Sequence, residues 1–289
     1  MKMMENDRAS GAENRGAPDH RFPGPGLAAF TLVELLVVMA ILLVLAGIVM
    51  AGVKSVTETA NQTKEVQAGR TLIAAYSAAA ADHDGAFLPG YDRTVTEVNL
   101  PDGTSLSGPP AERYTYRLAP YFQYRMDSAV LVGKNAKEID PQNRYLVSCY
   151  PAFGINYLFV GGDISAAGVM TYPSECITRQ GASLSIIAFA SAVGDSQPSK
   201  INGYCILTPP QTTGAMWNPA PWSADSLASE YGNVDARYSG KAICVFLDGS
   251  VRLLGIEELR DMRLWNLNAR QDDNSRYTIY QAPPPPRGR

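Results

Sequence analysis

Residues 30–53 form an apolar run in which Glu34 is the only charged residue. As a helix this run would be about 36 Å long, enough to cross the hydrocarbon core of a bilayer with some tilt. A carboxylate at the bilayer centre costs about 2.5–3.5 kcal/mol or more, so an acid in such a segment is a functional candidate by default. The run therefore predicts a transmembrane helix in which Glu34 has a role. The alternative is that Glu34 lies in the headgroup region and reaches toward water.

The polar stretch before this run, residues 1–29, predicts a leader peptide that is removed. Its last part, residues 22–26, reads Phe-Pro-Gly-Pro-Gly and is incompatible with a regular helix. A secretory signal places small residues after a shorter apolar core. Here Ala28 and Ala29 precede the apolar run, so a cut after Ala29 leaves the run on the mature protein. An uncleaved signal anchor is the alternative.

Residues 54–84 continue the helical pattern but are amphipathic. Apolar positions recur mostly at steps of three and four, which predicts one stripe packed on a globular domain. The helix is expected to end at Asp82-His83-Asp84, with Gly85 as its left-handed cap. The positions assigned to the stripe are Val53, Val56, Ala60, Thr63, Val66, Ile73, Tyr76 and Ala80.

Residues 85–270 predict a globular α+β head and residues 271–289 a Pro-rich tail. The fold class is therefore α+β, with a long N-terminal α-helix packed on a C-terminal antiparallel β-sheet domain. Two apolar runs flank Asp248-Gly249, which is typical of a hairpin with a type I′ turn. Residues 255–265 predict a short amphipathic helix. Further strand candidates are the short apolar runs at 146–149, 155–160, 185–190 and 204–207.

The four cysteines are widely spaced, and none forms a CxxC pair, which argues against a zinc site. If the head faces an oxidising compartment, three pairings are open, and the spacing does not choose among them. The alternative is that the thiols are free, buried and act as small apolar groups. The candidates for a disulfide are Cys149, Cys176, Cys205 and Cys244.

No catalytic pattern is present in the sequence. Its two histidines, His20 and His83, fall in the leader and at the helix end, and there is no GxSxG, HExxH or P-loop. The formal net charge is −3 without a basic block, so no nucleic-acid partner is predicted. We therefore expect a protein that is not an enzyme.

Residues 29–38, Ala-Phe-Thr-Leu-Val-Glu-Leu-Leu-Val-Val, resemble the prepilin-type cleavage and methylation motif. Type IV pilins and the pseudopilins of type II secretion systems share this motif. The family usually has Gly before the cut, where this chain has Ala29. Residues 74–85, 153–157 and 246–251 resemble pilin-like proteins abundant in planctomycete and verrucomicrobial genomes. Many of those have a His where this chain has Tyr238.

The resemblance implies a pilin-like fold and a prepilin peptidase that cuts between Ala29 and Phe30. The same enzyme would methylate the new amino terminus of Phe30. Glu34 would serve filament assembly by offering its carboxylate to the Phe30 amine of a neighbouring subunit. Some pseudopilins hold calcium in loops of the C-terminal sheet, but a calcium site needs several acids, and turn chemistry accounts for Asp248 and Gly249. We therefore expect no cofactor and no metal.

The function implied is a structural subunit of a type II secretion pseudopilus or a type IV pilus-like filament. It would be a single-pass protein of the inner (cytoplasmic) membrane with its head in the periplasm or on an extracellular filament. Its implied partners are the prepilin peptidase, other pilin-like subunits, the inner-membrane assembly platform with its ATPase, and the lipid bilayer. Two alternatives remain open at this point: a minor pilin for adhesion or DNA uptake, and a signal-anchored periplasmic binding protein or enzyme that does not assemble.

Overall fold

The computed structural model describes residues 31–181, 185–196, 199–212 and 215–270. The chain divides into two compact units, Met1–Gly52 and Val53–Arg289. The predicted leader at 1–29, the cleavage site at Ala29 and Phe30, and the predicted tail at 271–289 lie outside the described residues.

The described residues form an α+β structure with antiparallel sheets. The helices are α1 (Leu32–Asp82), α2 (Pro109–Glu112), α3 (Tyr114–Leu118), α4 (Met126–Ala129), α5 (Asn135–Glu138), α6 (Arg144–Cys149) and α7 (Ile256–Leu259). The strands are β1 (Tyr91–Asp92), β2 (Glu97–Asn99), β3 (Ser105–Ser107), β4 (Phe153–Ile155), β5 (Asp163–Ile164), β6 (Ile187–Ser191), β7 (Val193–Ser196), β8 (Ser199–Asn202), β9 (Gln211–Thr212), β10 (Ala215–Met216), β11 (Lys241–Phe246) and β12 (Val251–Gly255). Short 3₁₀ turns lie at Ala119–Phe122, Ala228–Tyr231, Met262–Leu264 and Leu267–Arg270.

In the N-terminal unit, α1 is apolar on every side, and the side chains of residues 32–48 are all exposed. The large apolar side chains there are between 46% (Val38) and 79% (Leu32) exposed. Across the residues that the structure describes, no helix is both long enough and apolar enough to span a membrane.

In the second unit, α1 buries one stripe against the head. The stripe confirms the assignment of Ile73, Tyr76 and Ala80, which are buried. Val66 is half-buried and packs against the core of the head. The stripe corrects the assignment of Val56, Ala60 and Thr63, which are exposed. The predicted stripe is wrong there because burial begins at a charged residue, which a search for apolar positions passes over. The buried positions are Glu65, Ala68, Gly69, Leu72, Ile73, Ala75, Tyr76, Ala79 and Ala80.

The main sheet has four antiparallel strands in the order β12-β11-β6-β4. All five residues of β6 are buried, which fits a central strand covered on both faces. On one face Tyr76 of α1 stacks on Phe87 with ring centroids 5.1 Å apart and meets Phe189 edge-on at 5.3 Å. On the other face Trp217 and Trp265 pack edge to face at 5.9 Å. These two layers form the core of the head.

Helix α1 approaches the sheet closely at Gly69. A Cβ atom at this position would lie 2.8 Å from Cγ2 of Val245, a buried residue of β11. Glycine at a helix interior costs about 1 kcal/mol relative to alanine. Here the missing side chain lets the helix backbone lie against the strand.

The helix ends where the sequence predicts. Gly85 takes a left-handed φ of 81°, and its N–H donates to the carbonyl of Ala80 at 2.7 Å. This bond satisfies a carbonyl that the helix terminus would leave without a partner.

Of the four further strand candidates, only 185–190 is confirmed as a strand, as β6. Residues 146–149 are wrong because they belong to α6, whose first turn is capped by the Asn143 side chain accepting from Leu146 N at 3.1 Å. Residues 155–160 leave the sheet after Ile155, where the Asn156 amide turns inward and donates to Ile187 O at 3.0 Å. Residues 204–207 join β4 only through a bridge between Ile206 and Ile155.

The hairpin around Asp248 and Gly249 is confirmed, but its type I′ turn is wrong. That turn needs φ > 0 at both central residues, whereas Gly249 has φ 82° and Asp248 is not among the residues with positive φ. Gly249 N donates to Phe246 O at 2.9 Å, and Phe246 N donates to Ser250 O at 2.9 Å. This pattern matches a three-residue loop whose left-handed glycine carries the bulge.

The helix predicted at 255–265 is shorter than expected. Helix α7 ends at Leu259, and a 3₁₀ turn follows at Met262–Leu264. The break occurs because the Asp261 side chain accepts from Arg263 N at 2.9 Å and starts a new turn.

Candidate functional site

The first turn of α1 is closed by a reciprocal pair of hydrogen bonds between Thr31 and Glu34. Thr31 N donates to Glu34 Oε2 at 2.9 Å, and Glu34 N donates to Thr31 Oγ1 at 3.2 Å. The Thr31 hydroxyl also donates to Glu34 Oε2 at 2.8 Å. This is a capping box, which satisfies backbone donors that a helix start otherwise leaves open. The capping box holds the Glu34 carboxylate against Thr31, which follows Phe30 in the sequence.

This capping role was not predicted from the sequence, although its signal is present as Thr-x-x-Glu before an apolar run. The cap and the pairing with an amine are compatible. A carboxylate has about four acceptor positions, and Thr31 uses only one of the two oxygens. Glu34 therefore keeps an oxygen for a positively charged partner.

The helix surface that follows the cap is both apolar and exposed. From Leu32 to Ile48 the side chains are apolar apart from Glu34, and they point outward around the whole helix. An amphipathic helix covers its apolar stripe against its own domain, whereas a helix that is apolar all round is typical of an apolar environment. Lipid and other apolar helices are the environments that would cover it.

A second site lies in the head, where Glu65 of α1 is completely buried beside Arg237. Arg237 Nη1 lies 3.4 Å from Glu65 Oε1, and its Nε lies 2.8 Å from Asp235 Oδ2. Its Nη2 donates to Ala192 O at 2.6 Å. One guanidinium thus ties α1 to a turn before β11 and to the end of β6.

The environment of Glu65 is tightly enclosed. Burial raises its pKa, while Arg237 and the Tyr238 hydroxyl act in the opposite direction. Gly133, with φ 64°, leaves room for the carboxylate, since a Cβ there would lie 2.1 Å from Glu65 Oε1. Tyr238 therefore packs against a buried acid.

The buried ion pair between Glu65 and Arg237 was not predicted from the sequence. Glu65 falls on the three- and four-residue spacing of the buried positions 68, 69, 72, 73 and 76. That register was a usable signal for its burial. Nothing local to the sequence points to Arg237 as its partner.

Asp248 plays a structural role in the hairpin. Its carboxylate accepts from Ser250 N at 2.8 Å and from the Ser185 hydroxyl at 2.8 Å, and it pairs with Arg252 at 3.3 Å. Partial burial raises the pKa of Asp248, but the hydrogen bonds from Ser250 and Ser185 and the charge of Arg252 outweigh it, and the pKa is lowered. Within the described ranges, no group of three or more His, Cys, Asp or Glu side chains is arranged to hold a metal ion.

The four cysteines are free thiols in the structure. Cys205 and Cys244 are buried, and Cys149 and Cys176 are half-buried. Of the four, Cys149 and Cys205 come together at the end of α6, where Cys205 N donates to Cys149 O at 3.0 Å.

An aromatic groove of about 650 Å³ lies beside the end of α1. Tyr121 and Tyr124 are half-buried along it. Its one arginine, Arg117, donates to the carbonyls of Pro89 (2.6 Å) and Glu112 (2.8 Å). His83 lies at the rim, and its Nδ1 is 2.8 Å from Ala79 O. The groove walls are Phe87, Leu88, Pro89, Tyr116, Pro120, Tyr121, Tyr124, Ile164 and Met170.

No protein-family model matches this chain, and neither the curated proteins nor the solved structures contain a significant match to it.

Proposed function

We propose that this chain is a structural subunit of a type II secretion pseudopilus or a type IV pilus-like filament. The observation that carries the proposal is the helical segment 32–48, which is apolar on all sides, exposed, and interrupted only by Glu34 near its start. A segment of this kind needs other helices or lipid to cover it. In a filament, the same segments of neighbouring subunits would cover one another.

The proposed maturation begins with a cut between Ala29 and Phe30 by a prepilin peptidase, which then methylates Phe30. The cut creates a positively charged amine one residue before Thr31. Within a helical bundle, a carboxylate without a partner is costly, and pairing with an amine lowers the cost of both charges. A subunit in the wrong axial register would leave Glu34 unpaired, so the pair selects one stagger.

Before assembly, the subunit would sit in the inner membrane through residues 30–53, with its head in the periplasm. The support for this location is the single charge in that run. An assembly platform with its ATPase would extract the subunit. The role is structural and not catalytic, and it calls for no cofactor.

A second candidate is a signal-anchored periplasmic binding protein. The aromatic groove of about 650 Å³ favours it, because small-molecule sites are commonly apolar clefts of about 300–1,000 Å³. The two candidates differ at the N-terminus, since an anchor stays uncut and does not form filaments.

Two substitutions at Glu34 test the proposal. Glu34→Gln keeps the capping box, because Gln at this position of the box can also cap, but it removes the charge. Glu34→Ala removes both. If the charge pairs with a neighbouring amine, both variants enter the membrane normally but fail to enter filaments in a shearing and cross-linking assay.

The matched control is Glu58→Ala, which removes an exposed acid from the same helix. It should assemble as the unmodified protein does. Filaments with normal content of Glu34→Gln would refute the charge-pairing role, and filaments with normal content of Glu34→Ala would refute any role of Glu34 in assembly.

A further inference from the structure

Cys149, the last residue of α6, and Cys205, beside β4, are held next to each other by the backbone. Cys205 N donates to Cys149 O at 3.0 Å, and Tyr204 N donates to Pro151 O at 2.9 Å. With standard bond lengths, the first of these bonds places the two α-carbons no more than roughly 6.5 Å apart. A disulfide usually joins α-carbons about 4.4–6.8 Å apart. The backbone therefore already has the spacing that a disulfide needs.

A buried arginine lies beside both thiols. Arg113 donates through Nη1 to the Ser148 hydroxyl at 2.9 Å. Its Nε is buried and has no hydrogen-bond partner in the described chain, where Arg113 also forms no ion pair with a carboxylate. Burial tends to lower the pKa of Arg113, whereas Cys205 and then Cys149 raise it. The Arg113 guanidinium thus places a positive charge near both thiols.

The two thiols differ in accessibility. Cys205 is only 4% exposed, and burial raises its pKa to about 12 despite the opposing effect of Arg113. Cys149 is half-buried and open to a small reagent. An oxidant would therefore meet Cys149 first, with Cys205 behind it as the resolving thiol.

The other two cysteines are placed differently. Cys244 is in the middle of the sheet, opposite Ala190 and Arg252, and is completely buried. Burial raises the pKa of Cys176 to about 12. No hydrogen bond in the described chain joins either of them to another cysteine.

We propose that Cys149 and Cys205 form a disulfide when the chain meets a disulfide oxidant such as oxidised glutathione. The Cys149 thiolate attacks one sulfur of the oxidant, and a glutathione thiolate leaves. The Cys205 thiolate then attacks Cys149 Sγ in the mixed disulfide, and the second glutathione thiolate leaves. The two protein thiols are oxidised, the oxidant is reduced to two glutathione molecules, and the two protons pass to the released thiolates.

The cross-link would join the end of α6 covalently to the segment at 204–207, which bonds to β4 through Ile155 N to Cys205 O at 3.1 Å and Leu207 N to Ile155 O at 2.8 Å. The inference stands apart from the proposed function, because the chemistry requires only an oxidant and these residues. It also selects one pairing where the spacing of the cysteines left three open.

The test uses the purified full chain with its thiols reduced and then incubated with oxidised glutathione. After unfolding, blocking of the remaining free thiols and digestion, mass spectrometry should find a peptide linking Cys149 to Cys205, with Cys176 and Cys244 recovered as blocked thiols. The oxidised chain should melt roughly 5–10 °C above the reduced chain.

Two variants separate the pair from the background. Cys149→Ser should abolish both the linked peptide and the melting difference, and Cys176→Ser should retain both. A linked peptide that includes Cys176 or Cys244, a glutathione adduct that persists on Cys149, or no linked peptide at all would overturn the proposal.

Discussion

Residues 32–48 and 65–80 belong to one helix and are both rich in apolar side chains, yet their surroundings are opposite. In the first region every side chain is exposed. In the second, the side chains at three- and four-residue steps are buried, and those between them are exposed or half-buried. The number and the arrangement of polar residues in the two regions explain this difference.

The second region has a polar face, so packing on the head satisfies its apolar stripe completely. The first region has no polar face, so one contact surface would leave most of it uncovered. The acids in the two regions follow the same division. Glu34 caps the helix at the surface, and Glu65 is buried beside an arginine. The second region therefore stabilises the fold of the head, whereas the side chains of the first are exposed.

The largest expected effect comes from breaking the buried ion pair between Glu65 and Arg237. Arg237→Met leaves the Glu65 and Asp235 carboxylates without their guanidinium in an enclosed site. Removing one partner of a buried pair costs about 3–5 kcal/mol. Urea unfolding followed by tryptophan fluorescence measures this loss, because Trp217, Trp222 and Trp265 all lie in the head.

Its matched control is Arg252→Met, which removes an arginine that is 46% exposed and paired with Asp248. Exposed pairs contribute at most about 1 kcal/mol, so this variant should remain close to the unmodified protein. Equal losses from the two variants would contradict a special role for the Glu65 site.

Two leucines on the same helix compare the regions directly. Leu72 is 0% exposed and Leu42 is 58% exposed. Leu72→Ala should lower the free energy of unfolding by about 2–5 kcal/mol, because it opens a cavity under the sheet. Leu42→Ala should change it by no more than about 0.5 kcal/mol. A large loss from Leu42→Ala would show that the first region does pack within the folded chain.

A pair of glycines gives a smaller effect. A Cβ at Gly69 would lie 2.8 Å from Val245, whereas a Cβ at Gly47 meets nothing within 4 Å. Gly69→Ala should cost a net amount of roughly 1 kcal/mol, since the clash exceeds the gain in helix propensity. Gly47→Ala should be neutral or slightly stabilising in the same unfolding assay. If the free energy of unfolding rose in both variants, a Cβ at Gly69 would not clash with Val245.

The smallest effect is a pH dependence that belongs to Glu65. Burial holds its pKa above the ordinary value of 4.5, so the folded chain keeps this proton after the unfolded chain has lost it. The stabilisation from that proton is therefore present below pH 4.5 and is lost as the pH rises through the folded pKa. As the pH rises through this range, the free energy of unfolding of Glu65→Gln should fall less than that of the unmodified chain. Parallel curves of this free energy against pH would show that the dependence does not come from Glu65.

Features encoded by local pattern were predictable. The left-handed Gly85 at the helix end and the hairpin around Asp248 follow from turn residues and their flanking apolar runs, and both are confirmed. The type of hairpin turn was not, because Asp-Gly occurs in loops of two and of three residues. The strand expected at 146–149 failed because the Asn143 cap overrides the β preference of a short apolar run.

Long-range partners were beyond prediction. Glu65 is separated from Arg237 by 172 residues, and Cys149 lies far in sequence from Cys205. Only folding brings such residues together. The predicted stripe of α1 was displaced for the same reason. A charged residue such as Glu65 is not assigned to a buried face from the sequence while its partner, Arg237, is unknown. For the N-terminal segment the sequence identified Glu34, and the structure added Thr31.

The central claim is that the apolar segment becomes the N-terminus of a filament subunit. The most direct measurement is the intact mass of the protein purified from membranes of a cell that has a prepilin peptidase. We expect the mass of a chain that begins at Phe30 and carries one methyl group on its amine. A chain that retains residues 1–29, or one that begins downstream of Phe30, would contradict it.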